Sequence, residues 1–302
     1  SSCWLTQETL PLHRLNKRTA LAMRVAGLVL ILCPALTSSA SSCSGDAGFA
    51  TDSYIALDDA GEESLHLLQR RAEGKSLAGD SGSTYCTHEE VMAGRQDCTP
   101  CLCSFDVDRT LTGRQGDLKA CPNDEVLPVY DCAYEQGSLT LSPVGQSLAN
   151  TFCAGCYVAI VTAGNATGYQ SKERAVLTDM LGKSGKLVST EWTGPSLHGD
   201  HRSNCSGVKV QSTLVVGCVD KTKQYAVASI VDWLQTSHNV AISRKNVYHF
   251  DDREDNIAAF RGTGFNAIQV SCEPRDSAIG LCGAQKWEIS AKDGVNLCYS
   301  HR

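Results

Sequence analysis

The chain has 302 residues, of which 42% are hydrophobic and 20% charged, enough to bury one large core or two small ones. Its formal charge is −6 and no long basic block interrupts it, which argues against a nucleic-acid partner. Sixteen cysteines argue equally against a reducing cytosol.

In chain order, Met23-Arg24 precedes an apolar run, Val25–Leu36, and the small-residue tract TSSASS follows. That pattern predicts a secretory signal over residues 1–40, cut after Ala40, with Ser38 and Ala40 at the small-residue positions. The apolar run is shorter than the roughly 20 residues that a membrane span needs. Two readings of residues 1–22 stay open. As translated upstream sequence they leave Met23 as the start. As part of the protein they add Arg14, Lys17 and Arg18 to the basic flank and favour an uncleaved anchor. A membrane enters only in that second case.

Residues 41–84 read as an acidic, flexible leader. Within 44–82 there are eight acids, three bases and no cysteine. Glu62–Ala72 has the leucine spacing of a short amphipathic helix, and Arg70-Arg71 is a solvated pair or a processing site. The folded domain is expected over 85–302. Loss of residues 1–40 removes Cys3 and Cys33 and leaves fourteen cysteines, an even number suited to disulfides. The C-x-x-C spacings Cys98/Cys101 and Cys153/Cys156 raise zinc as the alternative, though neighbouring Cys103 blurs that pattern.

From Leu102 onward, short apolar runs alternate with helical patterns. Strands are predicted at Leu102–Phe105, Tyr157–Val161, Lys186–Ser189, Thr213–Val216, Asn246–Phe250 and Asn266–Val270. Helices are predicted at Lys172–Leu181, Lys221–Leu234 and Asn256–Phe260. Continuous apolar strands separated by helices imply an α/β fold around a buried, mainly parallel sheet. The cysteine-rich tail after Cys272 is expected to tie down one sheet edge.

Ligands bind such sheets at the carboxyl ends of the strands, and reactive groups collect there. Asp106 and Asp108 end the first strand in LCSFDVDRTLTG, spaced to converge. Thr162 ends the second, in IVTAGNATG, where Ala163 begins a turn whose amides could hold an oxyanion. Lys221 and Lys223 open the longest helix. Asp251 and Asp252 end the strand NVYHF, and Asn256 follows them. Singly, each has an ordinary structural explanation as a cap, a turn residue or a solvated charge. Their ordered occurrence on successive strands carries more weight.

This series resembles the four motifs of the haloacid dehalogenase (HAD) superfamily across about residues 100–272. The motifs are D-x-D-x-T, a Thr or Ser after an apolar strand, a helix-borne Lys, and an acidic pair as D-D-x-x-x-N. The resemblance implies a HAD-like Rossmannoid fold and a magnesium-dependent phosphomonoester hydrolase. It implies Asp106 as nucleophile, Asp108 as general acid and base, and Thr162, Ala163 and Lys223 as phosphate-binding groups. It implies Mg²⁺ held by Asp106, Asp108, Asp251 and Asp252. Lys221 and Asn256 are secondary candidates. So is Arg109, where the family often has Gly, and which could shape leaving-group access or bind a second phosphate.

The 56 positions from Asp106 to Thr162 and the 61 from Thr162 to Lys223 leave room for a small lid but no large cap domain. An open site suits bulky phosphorylated substrates as well as small esters. The polar segment Ser196–Gly207 is expected to be a surface loop, and the sequons at Asn165 and Asn204 make the chain a candidate glycoprotein. Two other readings remain. One is an inactive HAD-like binding or scaffold domain; the other is a D-x-D metal-dependent glycosyltransferase, which leaves Lys223 and the Asp251-Asp252-Asn256 group without a role.

Overall fold

The computed structural model describes residues 99–298, apart from Glu135. The expected signal segment, the acidic leader with its Glu62–Ala72 helix, and the domain boundary near Tyr85 lie outside the described residues. The chain runs β1 (Leu102–Phe105), an antiparallel hairpin of β2 (Glu125–Asp131) and β3 (Gly137–Leu141), α1 (Pro143–Ser147), β4 (Tyr157–Thr162) and α2 (Lys172–Ser184). It continues through β5 (Trp192–Thr193), β6 (Leu214–Val216), α3 (Lys223–His238), β7 (Val247–Asp251) and α4 (Glu254–Ala258). The final elements are β8 (Asn266–Gln269), a second small hairpin of β9 (Arg275–Asp276) and β10 (Ile279–Gly280), and β11 (Val295–Asn296).

Seven strands form one sheet in the order β11-β8-β7-β1-β4-β6-β5, and every pairing in it is parallel. β1, β4, β6, β7 and β8 are buried throughout, because helices cover both faces. Alternate residues divide between two cores. Cys103, Phe105, Val158, Ile160 and Phe250 pack with α1 and α2, whereas Leu102, Tyr157, Val161 and Val247 pack with α3 and α4. The described residues therefore form a three-layer α/β sandwich, with its central strand supplying the first acidic pair.

Local chemistry sets the helix ends. Ser171 caps α2 by accepting the Arg174 amide. Asn239, left-handed at φ 54°, ends α3 and donates its amide to the Leu234 carbonyl. The predicted start of α3 at Lys221 is displaced by two residues. Lys221 is itself left-handed at φ 68° and gives its amide to Asn256 Oδ1 at 2.8 Å, so the helix opens at Lys223. The predicted strand Lys186–Ser189 shrinks to a single bridge between Lys186 and Tyr157. The sheet edge is taken instead by Trp192–Thr193 against β6. The β2–β3 hairpin, unforeseen in sequence, occupies much of the space between the first two motif strands.

Five disulfides occur among the described residues. Cys101–Cys156 and Cys103–Cys153 lock the entry of β1 to that of β4. Cys205–Cys218 closes a short loop before α3, and Cys121–Cys282 ties the hairpin region to the tail. Cys272–Cys298 holds the segment after β11 against the sheet, where β11 adds an edge strand. Cys101, Cys153 and Cys156 are thus committed to disulfides rather than zinc. This set points to an oxidising environment. No helix among the described residues is long and apolar enough to cross a membrane.

The two staples on β1 are nested, with sequence separations of 55 and 50. Either alone closes nearly the same loop, so they should not contribute additively. Replacing Cys101 and Cys156 by Ser should cost much less than the roughly 4 kcal/mol that loop-closure entropy assigns to losing both bridges. Urea unfolding of the two double variants and the quadruple variant measures this. Additive losses would refute the redundancy.

Candidate functional site

β1 and β7 are register-matched neighbours, Phe105 opposite Phe250, so both acidic pairs leave the same end of the sheet. The Asp106 amide donates to the Phe250 carbonyl at 2.9 Å and fixes where β1 stops. Asp106 and Asp108 are extended and Arg109 is left-handed at φ 61°, a tight turn that leaves the first acid deep and the second half-buried. Thr162 ends β4 alongside. A methyl group on Gly164 would sit 3.5 Å from Asp108 Oδ2, so the Thr162–Gly164 turn borders the second acid. Ala163 lies within that turn, and Thr162 Oγ1 accepts the Gly164 amide at 3.3 Å.

Lys223, at the first position of α3, is buried between two carboxylates. Its Nζ lies 2.8 Å from Asp106 Oδ2 and 2.6 Å from Asp251 Oδ2. Lys221 instead points outward, 3.8 Å from Asp255 Oδ2. Asn256 is a hub: its amide nitrogen donates to both Asp251 oxygens at 3.2 and 3.0 Å and to Asp220 Oδ1 at 3.0 Å. Asp252 Oδ2 accepts the Gly280 amide at 2.6 Å. A side chain at Gly280 would meet Ser271 Oγ at 2.1 Å, so only glycine permits that approach.

Two oxygens stand apart. Asp106 Oδ1 and Asp252 Oδ1 are buried and accept no hydrogen bond. Oxygens of Asp106, Asp251 and Asp252 all lie within 4.8 Å of one another, an all-oxygen donor set that suits a hard divalent cation. Asp108 belongs to a second group with Asp131 and Glu173 on the same distance criterion.

Charges follow from burial and neighbours. Burial pushes the Asp106 carboxyl up to about 6 despite Lys223. Burial, with the charges of Asp131 and Asp106, pushes Asp108 up to about 7. Asp252 is raised well above the usual range by burial and by Asp251 and Asp106. For Asp251 burial is the largest single influence and acts upward, but Lys223 and His249 together outweigh it and keep this carboxylate ionised. The two acids in turn hold Lys223 protonated against its own burial.

Beneath Asp251, Ser104 Oγ donates to the Tyr248 carbonyl at 3.2 Å and stands 3.0 Å from His249 Nδ1, while His249 Nε2 is 3.6 Å from Asp251 Oδ2. Burial depresses the His249 pKa, so the ring is neutral. Ser104 is sealed within β1. This row packs beside Asp251 without a hydrogen bond to it and offers no accessible nucleophile.

Arg109, a secondary candidate in the sequence, is buried. It donates to the Leu281 carbonyl at 3.0 Å and to Gln115 Oε1 at 3.3 Å, with the Tyr134 ring stacked 4.5 Å from its guanidinium carbon. That environment builds a wall beside Asp108. Tyr134 escaped the sequence reading. It sits left-handed at φ 48° in the β2–β3 turn, and burial together with the negative charge of Asp108, Asp252 and Asp106 raises its pKa. Its local sequence signal is an aromatic residue two positions before Gln136-Gly137. Asp131 and Glu173 escaped as well, because neither stands in a motif. Of the polar loop, Asp200 and Arg202 reach the same region, and the Asn165 amide donates to Asp200 Oδ1.

No protein-family model matches the sequence, and no curated protein matches it.

Without a cation, the raised acids bind more protons folded than unfolded between about pH 4 and pH 7. Stability must therefore fall as pH rises through that window. Thermal melts in chelator across pH 4–8 should show the decline, and millimolar Mg²⁺ should reverse it most at the alkaline end. A metal-free stability that rose over this range would contradict the charge arrangement.

Proposed function

We propose that the protein is a HAD-like phosphomonoester hydrolase working through an aspartyl-phosphate with Mg²⁺. The carrying observation is the meeting of Asp106, Asp108, Thr162, Lys223, Asp251 and Asp252 at the carboxyl ends of β1, β4 and β7 and the start of α3. The acid-rich set with two unpartnered buried oxygens fits a hard cation, which Asp106, Asp251, Asp252 and the Asp108 backbone carbonyl would hold. When bound, that cation offsets repulsion between the carboxylates and a phosphate dianion.

Asp106 attacks phosphorus, forming an acyl-phosphate bond as the ester P–O bond breaks. Asp108 gives its proton to the departing alcohol oxygen. Its raised pKa suits a group that must be protonated near neutrality and then act as a base. In the second half, water attacks phosphorus and loses a proton to Asp108. The bond to Asp106 breaks, and inorganic phosphate leaves. Lys223 Nζ, beside Asp106 Oδ2, offsets charge where the new bond forms, and the Thr162 hydroxyl and following turn donate to the phosphoryl oxygens. The disulfides support a secreted or endomembrane-luminal setting for this chemistry.

Asp106→Asn should abolish hydrolysis of a generic aryl phosphate, and Asp108→Asn should lower kcat by a factor of about 10² to 10⁴. Beryllofluoride should raise the melting temperature beyond the Mg²⁺ effect, only with Mg²⁺ present and not in Asp106→Asn. Normal turnover by Asp106→Asn would exclude the covalent route. A Mg²⁺ shift with neither a beryllofluoride shift nor turnover would leave a metal-binding domain without catalysis.

A further inference from the structure

A cavity of about 470 Å³ opens beside Asp108, on the side away from Lys223's ion pairs. The end of β2 supplies Asp131 and the β2–β3 turn Tyr134 to its wall, the loop after β4 supplies Asn165 and Thr167, and the first turn of α2 supplies Glu173. Asp131 and Glu173 are almost wholly buried, and their carboxylate oxygens lie within 4.8 Å of each other and of an Asp108 oxygen.

The charge balance of this wall is one-sided. Asp131 accepts from Gln115 Nε2 and the Ala133 amide, each at 2.8 Å, and Glu173 accepts from the Thr167 hydroxyl. Those donors are neutral. No lysine or arginine among the described residues makes an ion pair with Asp108, Asp131 or Glu173. The nearby guanidinium of Arg174 spends its donors on the Asn165, Ser196 and Leu197 carbonyls, and Arg109 bonds Leu281 and Gln115 through its terminal nitrogens while its Nε is unpartnered. Arg202 lines the cavity but is exposed to solvent. Arg109 and Arg174 thus oppose the charge of Asp131 and Glu173 only through space, and a ligand that places a cation directly against the two desolvated carboxylates would offset them further.

We infer that this cavity receives the leaving group and selects phosphate esters of amino alcohols whose protonated amine lies one carbon beyond the ester carbon. The inference rests on the phosphomonoesterase reading, since it takes Asp108 as the group that protonates the ester oxygen. In a gauche O–C–C–N⁺ unit, nitrogen and ester oxygen are about 3 Å apart. An ester oxygen at hydrogen-bond distance from Asp108 therefore places the ammonium where Asp131 and Glu173 can both accept from it. Its charge would offset theirs, and the rest of the cavity leaves room for substituents on the amino alcohol. A neutral alkyl chain in the same place would leave both carboxylates desolvated and uncompensated.

The test uses a near-isosteric pair, O-phosphoethanolamine and n-propyl phosphate, which differ by an ammonium in place of a methyl group. The full-length protein with Mg²⁺ should give a kcat/KM at least tenfold higher for phosphoethanolamine. Glu173→Gln and, separately, Asp131→Asn should each bring that ratio several-fold closer to one, mainly through KM for the amine. The wild-type comparison stands even if a variant folds poorly. Turnover of both esters at equal efficiency, or a ratio unmoved in a folded Glu173→Gln variant, would overturn the amine selection while leaving the phosphatase reading intact. Turnover of neither ester nor an aryl phosphate would overturn the phosphatase reading itself, and this inference with it.

Discussion

Everything at the carboxyl end of the sheet depends on one buried cation. Lys223 lies between Asp106 and Asp251 at 2.8 and 2.6 Å, with all three side chains shut off from solvent. Removing one member of such a group commonly costs about 3–5 kcal/mol, because the remaining charges are stranded in low dielectric. The lysine also divides the labour among the acids. It holds Asp251 ionised and engages one oxygen of Asp106, leaving Asp106 Oδ1 and Asp252 Oδ1 as the surplus acceptors. A site with more buried carboxylates than internal cations has a standing requirement for positive charge from outside. That requirement links the electrostatics to both the proposed metal and the proposed amine.

Parallel pairing brings these groups together. Asp106 and Asp251 are separated by 145 positions in the chain, yet adjacent strands in register set them at neighbouring ends. The support beneath is asymmetric. Asn256, Lys223 and the Arg253 amide all bond to Asp251, which is clamped, whereas Asp252 has one side-chain acceptor bond from Gly280. The two disulfides on β1 sit at its other end, joined to the entry of β4. They brace the sheet without constraining the turn that carries Asp108.

The sheet and the motif residues were legible in sequence because each rests on a short-range signal. Strands buried on both faces read as unbroken apolar runs, and Asp106, Thr162 and Asp251 each stand directly at such a run's end. What stayed hidden depends on long-range pairing. β2 contains Pro128 and mostly exposed side chains, so it lacks a buried-strand pattern and is defined by its antiparallel pairing with β3. Tyr134, Asp131 and Glu173 come from three separate places, and nothing in their local sequence brings them to Asp108. The sequence already favours Lys223 over Lys221, and the left-handed backbone at Lys221 supplies the structural reason. The family resemblance itself remains a resemblance, carried by motif order and by the convergence of the motif residues.

Arg109 shows how the reacting end and the cavity wall are joined. It directly follows Asp108, and its left-handed backbone turns the chain sharply just beyond the proposed acid. Its side chain then reaches the Leu281 carbonyl in the tail, Gln115 ahead of the hairpin, and the Tyr134 ring at the hairpin turn. Gln115 in turn donates to Asp131, so a continuous chain of contacts runs from the turn carrying Asp108 to the carboxylate on the cavity wall. Glycine at this position would leave that wall without its central anchor. An arginine there makes the small hairpin serve as the side of the site. Its two terminal nitrogens bond inside the wall that it holds, and its buried Nε is left without a partner.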